Sequence, residues 1–74
     1  MDTKKLERHG RKLFALDPGV KIAEQLGLKP PFISRIKGGR AYLPAKYIHA
    51  LVELYGEKGI DEDYLMRLTK DGGL

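Results

Sequence analysis

The sequence contains no cysteine, which excludes a disulfide framework and a zinc site built from cysteine thiolates. Its two histidines, His9 and His49, stand far apart in the chain and make poor partners for a metal. No stretch approaches the roughly 20 apolar residues of a membrane span, and the basic start has no apolar run behind it. We therefore expect no metal, no cofactor, no signal peptide and no membrane association.

The chain is short, with 74 residues, and this length allows one small domain. Such a domain buries only roughly 60% of the surface of its unfolded chain, so every apolar stripe matters for its core. We expect residues 1–69 to form a single domain and residues 70–74 to form a flexible C-terminal tail.

Charge is distributed unevenly along the chain. Residues 1–46 carry eleven Lys and Arg against four Asp and Glu, a net charge of +7, whereas residues 47–74 carry three against six, a net charge of −3. A basic front half and an acidic back half indicate one surface that faces a polyanion and another that faces away from it. The alternative is that the net charge only keeps a small domain soluble.

Apolar residues recur at helical spacing throughout, and no segment alternates as a strand does. The pattern predicts an all-α fold of five short helices over residues 3–16, 20–26, 31–37, 44–55 and 61–69. Pro30 is expected at the cap of the third helix and Pro31 at its first position. Gly10 weakens the first helix, which suggests that another backbone approaches it closely.

Residues 19–38 have the pattern of two short helices that cross steeply at a tight turn, the helix-turn-helix unit. Ala23 supplies the small residue at the crossing, and Gly27 supplies the positive φ that the turn needs. Apolar residues fill the wedge beneath the two helices: Ile22, Leu26, Leu28, Ile33 and Ile36. The alternative is an ordinary pair of antiparallel helices in a helical bundle.

The segment 20–40, VKIAEQLGLKPPFISRIKGGR, resembles the helix-turn-helix of the lambda-repressor and Cro superfamily. The segment 43–51, LPAKYIHAL, resembles the helix that follows it in small phage Cro and YdaS-like regulators. This resemblance covers about residues 18–60 and implies a lambda-repressor-like fold. It further implies a protein that acts in the cytoplasm or nucleoid of a bacterial host. It also implies a homodimer that binds a pseudo-palindromic DNA operator, with the second helix of the unit in the major groove. Pro30 and Pro31 depart from the pattern, because relatives often carry a polar Ser or Gln there.

The motif assigns four groove-facing candidates for reading bases: Lys29, Pro31, Ser34 and Arg35. Arg35 is the strongest candidate because its planar fork matches O6 and N7 of guanine, and the alternative is a phosphate contact or plain solvation. Phosphate contacts are expected from cations that flank this helix or begin the one before it: Lys21, Lys37, Arg40 and Lys46. Of the cations in the first helix, we expect at least half to be only solvated.

The apolar arc of the fourth helix is wider than one core contact needs. Tyr47, Ala50 and Leu54 extend it sideways and are candidates, with Phe32, for a dimer interface. The alternatives are that the last helix covers this flank and that Phe32 fills a gap beside the first helix.

Nothing in the sequence favours an enzyme, since it offers no cysteine nucleophile and no histidine near Ser34. His9 is expected to be packed in the core, and His49 is expected to point to solvent or to Glu53. The sequence pattern indicates no small-molecule pocket. Two hypotheses remain. The first is a sequence-specific transcriptional regulator, a Cro-like repressor or, with the same DNA contacts, an activator. The second is a protein-interaction module, such as an antitoxin or assembly factor, that uses the helix-turn-helix as a scaffold.

Overall fold

The computed structural model of the chain describes residues 2–72, which form five α-helices and no strand. The helices are α1 (Thr3–Phe14), α2 (Gly19–Leu26), α3 (Pro30–Lys37), α4 (Ile48–Tyr55) and α5 (Glu62–Met66). Single 3-10 turns occupy Ala45–Tyr47, Gly56–Lys58 and Lys70–Gly72. The predicted all-α fold of five short helices is therefore confirmed. None of the helices within residues 2–72 combines the length and the hydrophobicity that a bilayer-spanning segment requires.

One hydrophobic core receives side chains from every α-helix. Leu6 and Leu13 enter it from α1, and the α2–α3 pair contributes side chains that are almost fully buried. Three loop residues also reach the core, and Ile60 among them is completely buried. The buried apolar residues are Leu6, Leu13, Ile22, Ala23, Ile33, Ile36, Leu43, Ile48, Leu51, Tyr55, Ile60, Leu65 and Leu68. This core fixes α3 against α1 and α2.

The start of α3 lies one residue earlier than predicted. Lys29 is the N-cap and Pro30 the first helical residue, so the expectation of Pro30 at the cap and a helix over 31–37 was wrong. Two prolines are tolerated here because the first residues of a helix need no N–H donor. The N–H groups of Phe32 and Ile33 donate to the Lys29 carbonyl at 3.0 and 3.3 Å, which closes the first turn.

Two other helices are shorter than predicted because one end of each forms hydrogen bonds between residues three apart, and not four apart as in an α-helix. Helix α1 ends at Phe14 and not at residue 16, since the Leu16 N–H turns to the Leu13 carbonyl, three residues back. The predicted helix over 44–55 begins with a 3-10 turn, in which the Tyr47 N–H donates to the Pro44 carbonyl at 3.1 Å. Regular α-helical bonding starts only at Ile48.

Helix α5 ends at Met66 although the sequence predicts a helix to residue 69. The Leu68 carbonyl accepts a hydrogen bond from the Leu43 N–H at 2.9 Å, so this part of the chain bonds to the link before α4. The Thr69 hydroxyl donates to the Met66 carbonyl at 2.7 Å. Of the predicted flexible tail, Lys70–Gly72 forms a 3-10 turn, and residues 73–74 lie outside the described residues.

The close backbone approach that was expected at Gly10 is found at Gly39. A Cβ at Gly10 would meet only side-chain atoms of Leu68 and Phe14 at 3.7 Å, which is ordinary contact. Gly39 has a φ of +73°, and a Cβ there would lie 2.1 Å from the Thr3 carbonyl oxygen and 2.8 Å from the Glu7 nitrogen. The turn after α3 is therefore seated directly on the first turn of α1.

Two tyrosines join helices that are distant in the chain. The Tyr55 hydroxyl, on α4, donates to Asp17 at 2.7 Å and lies 2.9 Å from the side-chain amide oxygen of Gln25 on α2. Burial, together with the bond to Asp17, raises the pKa of Tyr55 from 10.0 to about 12. The same hydrogen bond holds the pKa of Asp17 below its usual value, against the opposing effect of burial. This contact ties the end of α4 to the α2–α3 unit.

Tyr64, on α5, contacts the middle of α1 through hydrogen bonds and a stacked ring. Its hydroxyl donates to the His9 carbonyl and accepts from the Leu13 N–H at 3.2 Å. The His9 ring stacks on the Tyr64 ring with a centroid separation of 4.4 Å. Its Nε2 lies 2.8 Å from the Tyr64 carbonyl, which only accepts, so Nε2–H is the donor. His9 is packed, as predicted, and burial raises the pKa of Tyr64.

Candidate nucleic-acid interface

Helices α2 and α3 are joined by a turn of three residues, 27–29, that holds them in contact. Gly27 has a φ of +73°, and its N–H donates to the Glu24 carbonyl at 3.3 Å. The Leu28 N–H donates to the Ala23 carbonyl at 2.8 Å, which completes a Schellman motif and ends α2. Ile22, Ala23, Ile33 and Ile36 are buried at the crossing, whereas Leu26 and Leu28 are half-buried beside it.

The outward face of α3 offers two polar side chains. Successive residues are rotated by about 100° around a helix, so the buried Ile33 and Ile36 place Pro31, Ser34 and Arg35 on the opposite side. All three are exposed. Pro31 has no hydrogen-bonding group, and direct contacts to a base from this face therefore depend on Ser34 and Arg35.

The N-terminus of α3 is a poor phosphate site. Two of its first three residues are prolines, which carry no N–H. The N–H of the third, Phe32, donates to the Lys29 carbonyl at 3.0 Å. No free backbone donor remains among the first three residues of α3, so an anion contact at these three positions must come from side chains.

The exposed cations that the sequence assigns to DNA contacts, apart from Lys21, have no acidic partners. Within residues 2–72, no carboxylate lies within 4.0 Å of the nitrogens of these side chains: Lys29, Arg35, Lys37, Arg40 and Lys46. Lys46 also lies over the Tyr47 ring, with its Nζ 5.3 Å from the ring centroid. Lys21 differs from them because its Nζ is 3.5 Å from an Asp17 oxygen. Lys21 is therefore already paired, and the other predicted phosphate contacts are not.

A groove between α1 and α3 runs beside the outward face. Its volume is about 540 Å³, and it is lined by Glu7, Arg11, Phe14, Ala15, Ser34, Lys37 and Gly38. A smaller depression of about 190 Å³ is lined by Glu7, Ser34, Arg35, Gly38 and Arg40. Glu7, Ser34 and Gly38 belong to both, so the two form a continuous concavity. It brings together the predicted site residues Ser34, Arg35, Lys37 and Arg40.

Glu7 was not predicted as a site residue, and Arg11 is one of the first-helix cations of which at least half were expected to be only solvated. Their spacing of four residues indicates an ion pair on a helix, and the Arg11 Nη2 does lie 3.8 Å from a Glu7 oxygen. Nothing local indicates that this side of α1 faces α3, because that contact depends on how the two helices pack. Lys12, the next residue, lies on another side of α1, with its Nζ 5.5 Å from the centroid of the Tyr64 ring.

The predicted dimer flank is only partly open. Leu54 is 45% exposed, whereas Tyr47 and Ala50 are half-buried. Phe32 is half-buried and packs against the core. Helix α5 packs against α4, but Leu54 stays exposed, so the last helix does not cover the whole flank as the alternative expected. The dimer stays a prediction. Two further exposed apolar side chains, Val20 and Met66, were not singled out by the sequence pattern.

The residues considered for other chemistry lie apart from this surface. His49 is highly exposed, and its Nε2 lies 3.0 Å from a Glu53 oxygen, as predicted. Asp61 accepts a hydrogen bond from the Tyr64 N–H at 2.8 Å and thereby caps α5, which accounts for the first of three acidic residues there. Within the described residues, no group of three or more acidic or histidine side chains is placed to hold a metal ion.

Comparison of the chain with protein-family models, with curated proteins and with solved structures found no match. Its class is therefore defined by its own geometry. Over residues 2–72 it has five α-helices and no strand, two short helices meet at a three-residue turn, and the cations on the second have no carboxylate partner.

Proposed function

We propose that the chain is a sequence-specific DNA-binding transcriptional regulator, a Cro-like repressor of the lambda-repressor and Cro superfamily. In this proposal α3 enters the major groove, and two copies of the chain bind a pseudo-palindromic operator. Arg35 reaches base edges, Ser34 and Lys29 reach a base edge or a phosphate, and Lys37, Arg40 and Lys46 contact phosphates.

One observation carries the proposal: the cations on a short helix after a tight turn, and in the segments beside it, have no carboxylate partner within residues 2–72. Cations that cluster on and beside one exposed helix, with no acid among them to offset their charge, favour an external polyanion. The planar guanidinium of Arg35 is the group on this face that can discriminate guanine. A bidentate contact of this kind contributes roughly 1–3 kcal/mol of discrimination against a wrong base.

The proposal is tested by selecting binding sites from random duplex DNA at physiological salt, with Arg35→Ala and Arg67→Ala in parallel. Arg67 is an exposed arginine that follows α5 and lines neither concavity, so it matches the change of charge and size. We expect the unmodified chain and Arg67→Ala to select the same two-fold consensus. Arg35→Ala should lose selection at one base pair of each half-site and weaken binding about 5- to 150-fold, the equivalent of about 1–3 kcal/mol.

A second candidate function is a protein-interaction module, and two features of α3 and α4 favour it. The two prolines remove the backbone donors from the start of α3, and Leu54 leaves an apolar side chain uncovered on α4. This candidate predicts weak DNA binding that is equal on all sequences. If the selection enriches no consensus and Arg35→Ala binds as the unmodified chain does, the regulator proposal fails and this candidate takes its place.

A further inference from the structure

We infer that the α1–α3 groove is a phosphate-binding site, formed by Arg11, Lys37 and Ser34, that seats the sugar-phosphate backbone of bound DNA. The inference deepens the proposed function, on which it rests. It assigns one cation of α1 to the DNA surface and leaves its neighbour Lys12 outside.

Three groups that bind phosphate line this one groove. Arg11 and Lys37 bring positive charge from opposite walls, and the Ser34 hydroxyl supplies a neutral donor. Phe14 and Ala15 also line the groove and add no charge. Guanidinium, ammonium and hydroxyl donors are the side chains with which proteins contact the backbone of a duplex.

The two walls are held at a constant separation. Gly39, directly after α3, contacts the α1 backbone so closely that a Cβ would lie 2.1 Å from the Thr3 carbonyl oxygen. The same position is 2.8 Å from the Glu7 nitrogen, one helical turn before Arg11. Ile33 and Leu13 fix the opposite sides of the two helices in the core. A groove with fixed walls loses little conformational freedom when a phosphate enters it.

Glu7 competes with phosphate for Arg11. Its carboxylate is the acidic group lining both concavities, and its distance of 3.8 Å from the Arg11 Nη2 is long for an ion pair. Both side chains are largely in water, at 71% exposed for Arg11 and 48% for Glu7. Exposed pairs of this kind contribute little, so a phosphate displaces the carboxylate. Glu7 thus lowers the affinity for DNA without abolishing it.

The test measures duplex-DNA binding by fluorescence anisotropy as a function of salt for Arg11→Gln and Lys12→Gln. These neighbours undergo the same loss of charge, but Lys12 lies over the Tyr64 ring. We expect Arg11→Gln to weaken binding threefold to tenfold and to reduce the salt slope by about 0.9, the value for one phosphate contact. Lys12→Gln should change binding less than twofold. Equal effects of the two substitutions would overturn the inference.

Removal of the competing carboxylate gives an independent test. Glu7→Gln should tighten DNA binding about threefold to tenfold, because one repulsive charge beside the phosphates is lost and Arg11 is released. In a chain that already carries Arg11→Gln, Glu7→Gln should increase the DNA affinity by at most half as much as it does alone. Glu57→Gln, which makes the same change at an exposed position after α4, should have less than a twofold effect. A Glu7→Gln variant that binds DNA more weakly than the unmodified chain contradicts the inference.

A free phosphate ion is the other source of the same chemistry. Inorganic phosphate, titrated at constant ionic strength and followed by the amide shifts of Ser34 and Gly38, should bind only weakly. Tight binding of inorganic phosphate by a chain that does not bind duplex DNA would overturn the assignment to the DNA backbone. A selected consensus with no effect of Arg11→Gln refutes this inference alone. A reduced salt slope in Arg11→Gln without any consensus refutes the proposed sequence specificity alone.

Discussion

Gly27 and Gly39 allow the cost of a backbone conformation to be separated from the cost of a steric clash. Both have a φ of +73°, a backbone conformation that an alanine at either position would rarely adopt. Their surroundings differ completely. A Cβ at Gly27 has no atom within 4 Å, whereas a Cβ at Gly39 would lie 2.1 Å from the Thr3 carbonyl oxygen. Gly27→Ala and Gly39→Ala are therefore a matched pair.

The expected magnitudes follow from these distances. Left-handed backbone costs an L-residue roughly 1–2 kcal/mol, partly offset because alanine restricts the unfolded chain by about 0.4–1 kcal/mol. We expect Gly27→Ala to lower the free energy of unfolding by about 1 kcal/mol. Gly39→Ala adds an overlap with backbone that moves only if α3 separates from α1, a distortion of roughly 1–3 kcal/mol or more. Its total is about 2–4 kcal/mol, a large part of the roughly 4–11 kcal/mol expected for a domain of this size.

Urea unfolding followed by circular dichroism measures both variants at pH 7. Gly56→Ala is the control, because Gly56 has a helical φ of −57° and its Cβ would make only ordinary contact with Val52 at 3.6 Å. That variant should match or exceed the unmodified chain in stability by up to about 1 kcal/mol. If Gly27→Ala and Gly39→Ala differ by less than about 0.5 kcal/mol, the close approach of α3 to α1 does not exist as described.

Two hydroxyl deletions test the tyrosine contacts between distant helices. Tyr55→Phe should lower the free energy of unfolding by about 1–2 kcal/mol at pH 7, because Asp17 loses its hydrogen-bond donor. The raised pKa of Tyr55 stabilises the fold, fully below pH 10, and this stabilisation is lost as the pH rises from about 10 to about 12. Over this range, the free energy of unfolding in urea should decline less steeply for Tyr55→Phe than for the unmodified chain. Tyr64→Phe should cost about 1–2 kcal/mol by the same assay, because the His9 carbonyl and the Leu13 N–H lose a shared partner.

The free energy of unfolding is expected to fall as the pH rises above about 10. Tyr55 has a higher pKa in the folded than in the unfolded chain, so the unfolded chain ionises first and alkaline pH favours unfolding. Tyr64 contributes in the same direction, since burial raises its pKa as well. Tyr55→Phe therefore flattens the alkaline decline without removing it. An unchanged or steeper decline would show that the Tyr55 hydroxyl is not buried against Asp17.

Predictions from the sequence succeeded where the interaction is local. The five helices, the left-handed Gly27 at the end of α2 and the pairing of His49 with Glu53 all involve residues at most five positions apart. Over such distances the helical backbone itself sets which groups meet, so residue type and spacing are sufficient. The errors at helix ends are also informative. Helix α5 stops early: the N–H groups of Leu68 and Thr69 donate to carbonyls three residues back, and the Leu68 carbonyl bonds to Leu43, a partner that lies in another part of the chain.

The tertiary structure decided which surfaces meet. Tyr55 reaches Asp17 across 38 positions, Tyr64 reaches His9 across 55, and Gly39 rests on the start of α1. The groove that joins Arg11 to α3 follows from the same packing, and spacing within either helix does not reveal it. These contacts depend on the crossing angles of whole helices, which the shape of the shared core determines. The sequence alone thus identified the five helices and the excess of positive charge in residues 1–46. The packing of the helices determines which of these cations lie on the same surface.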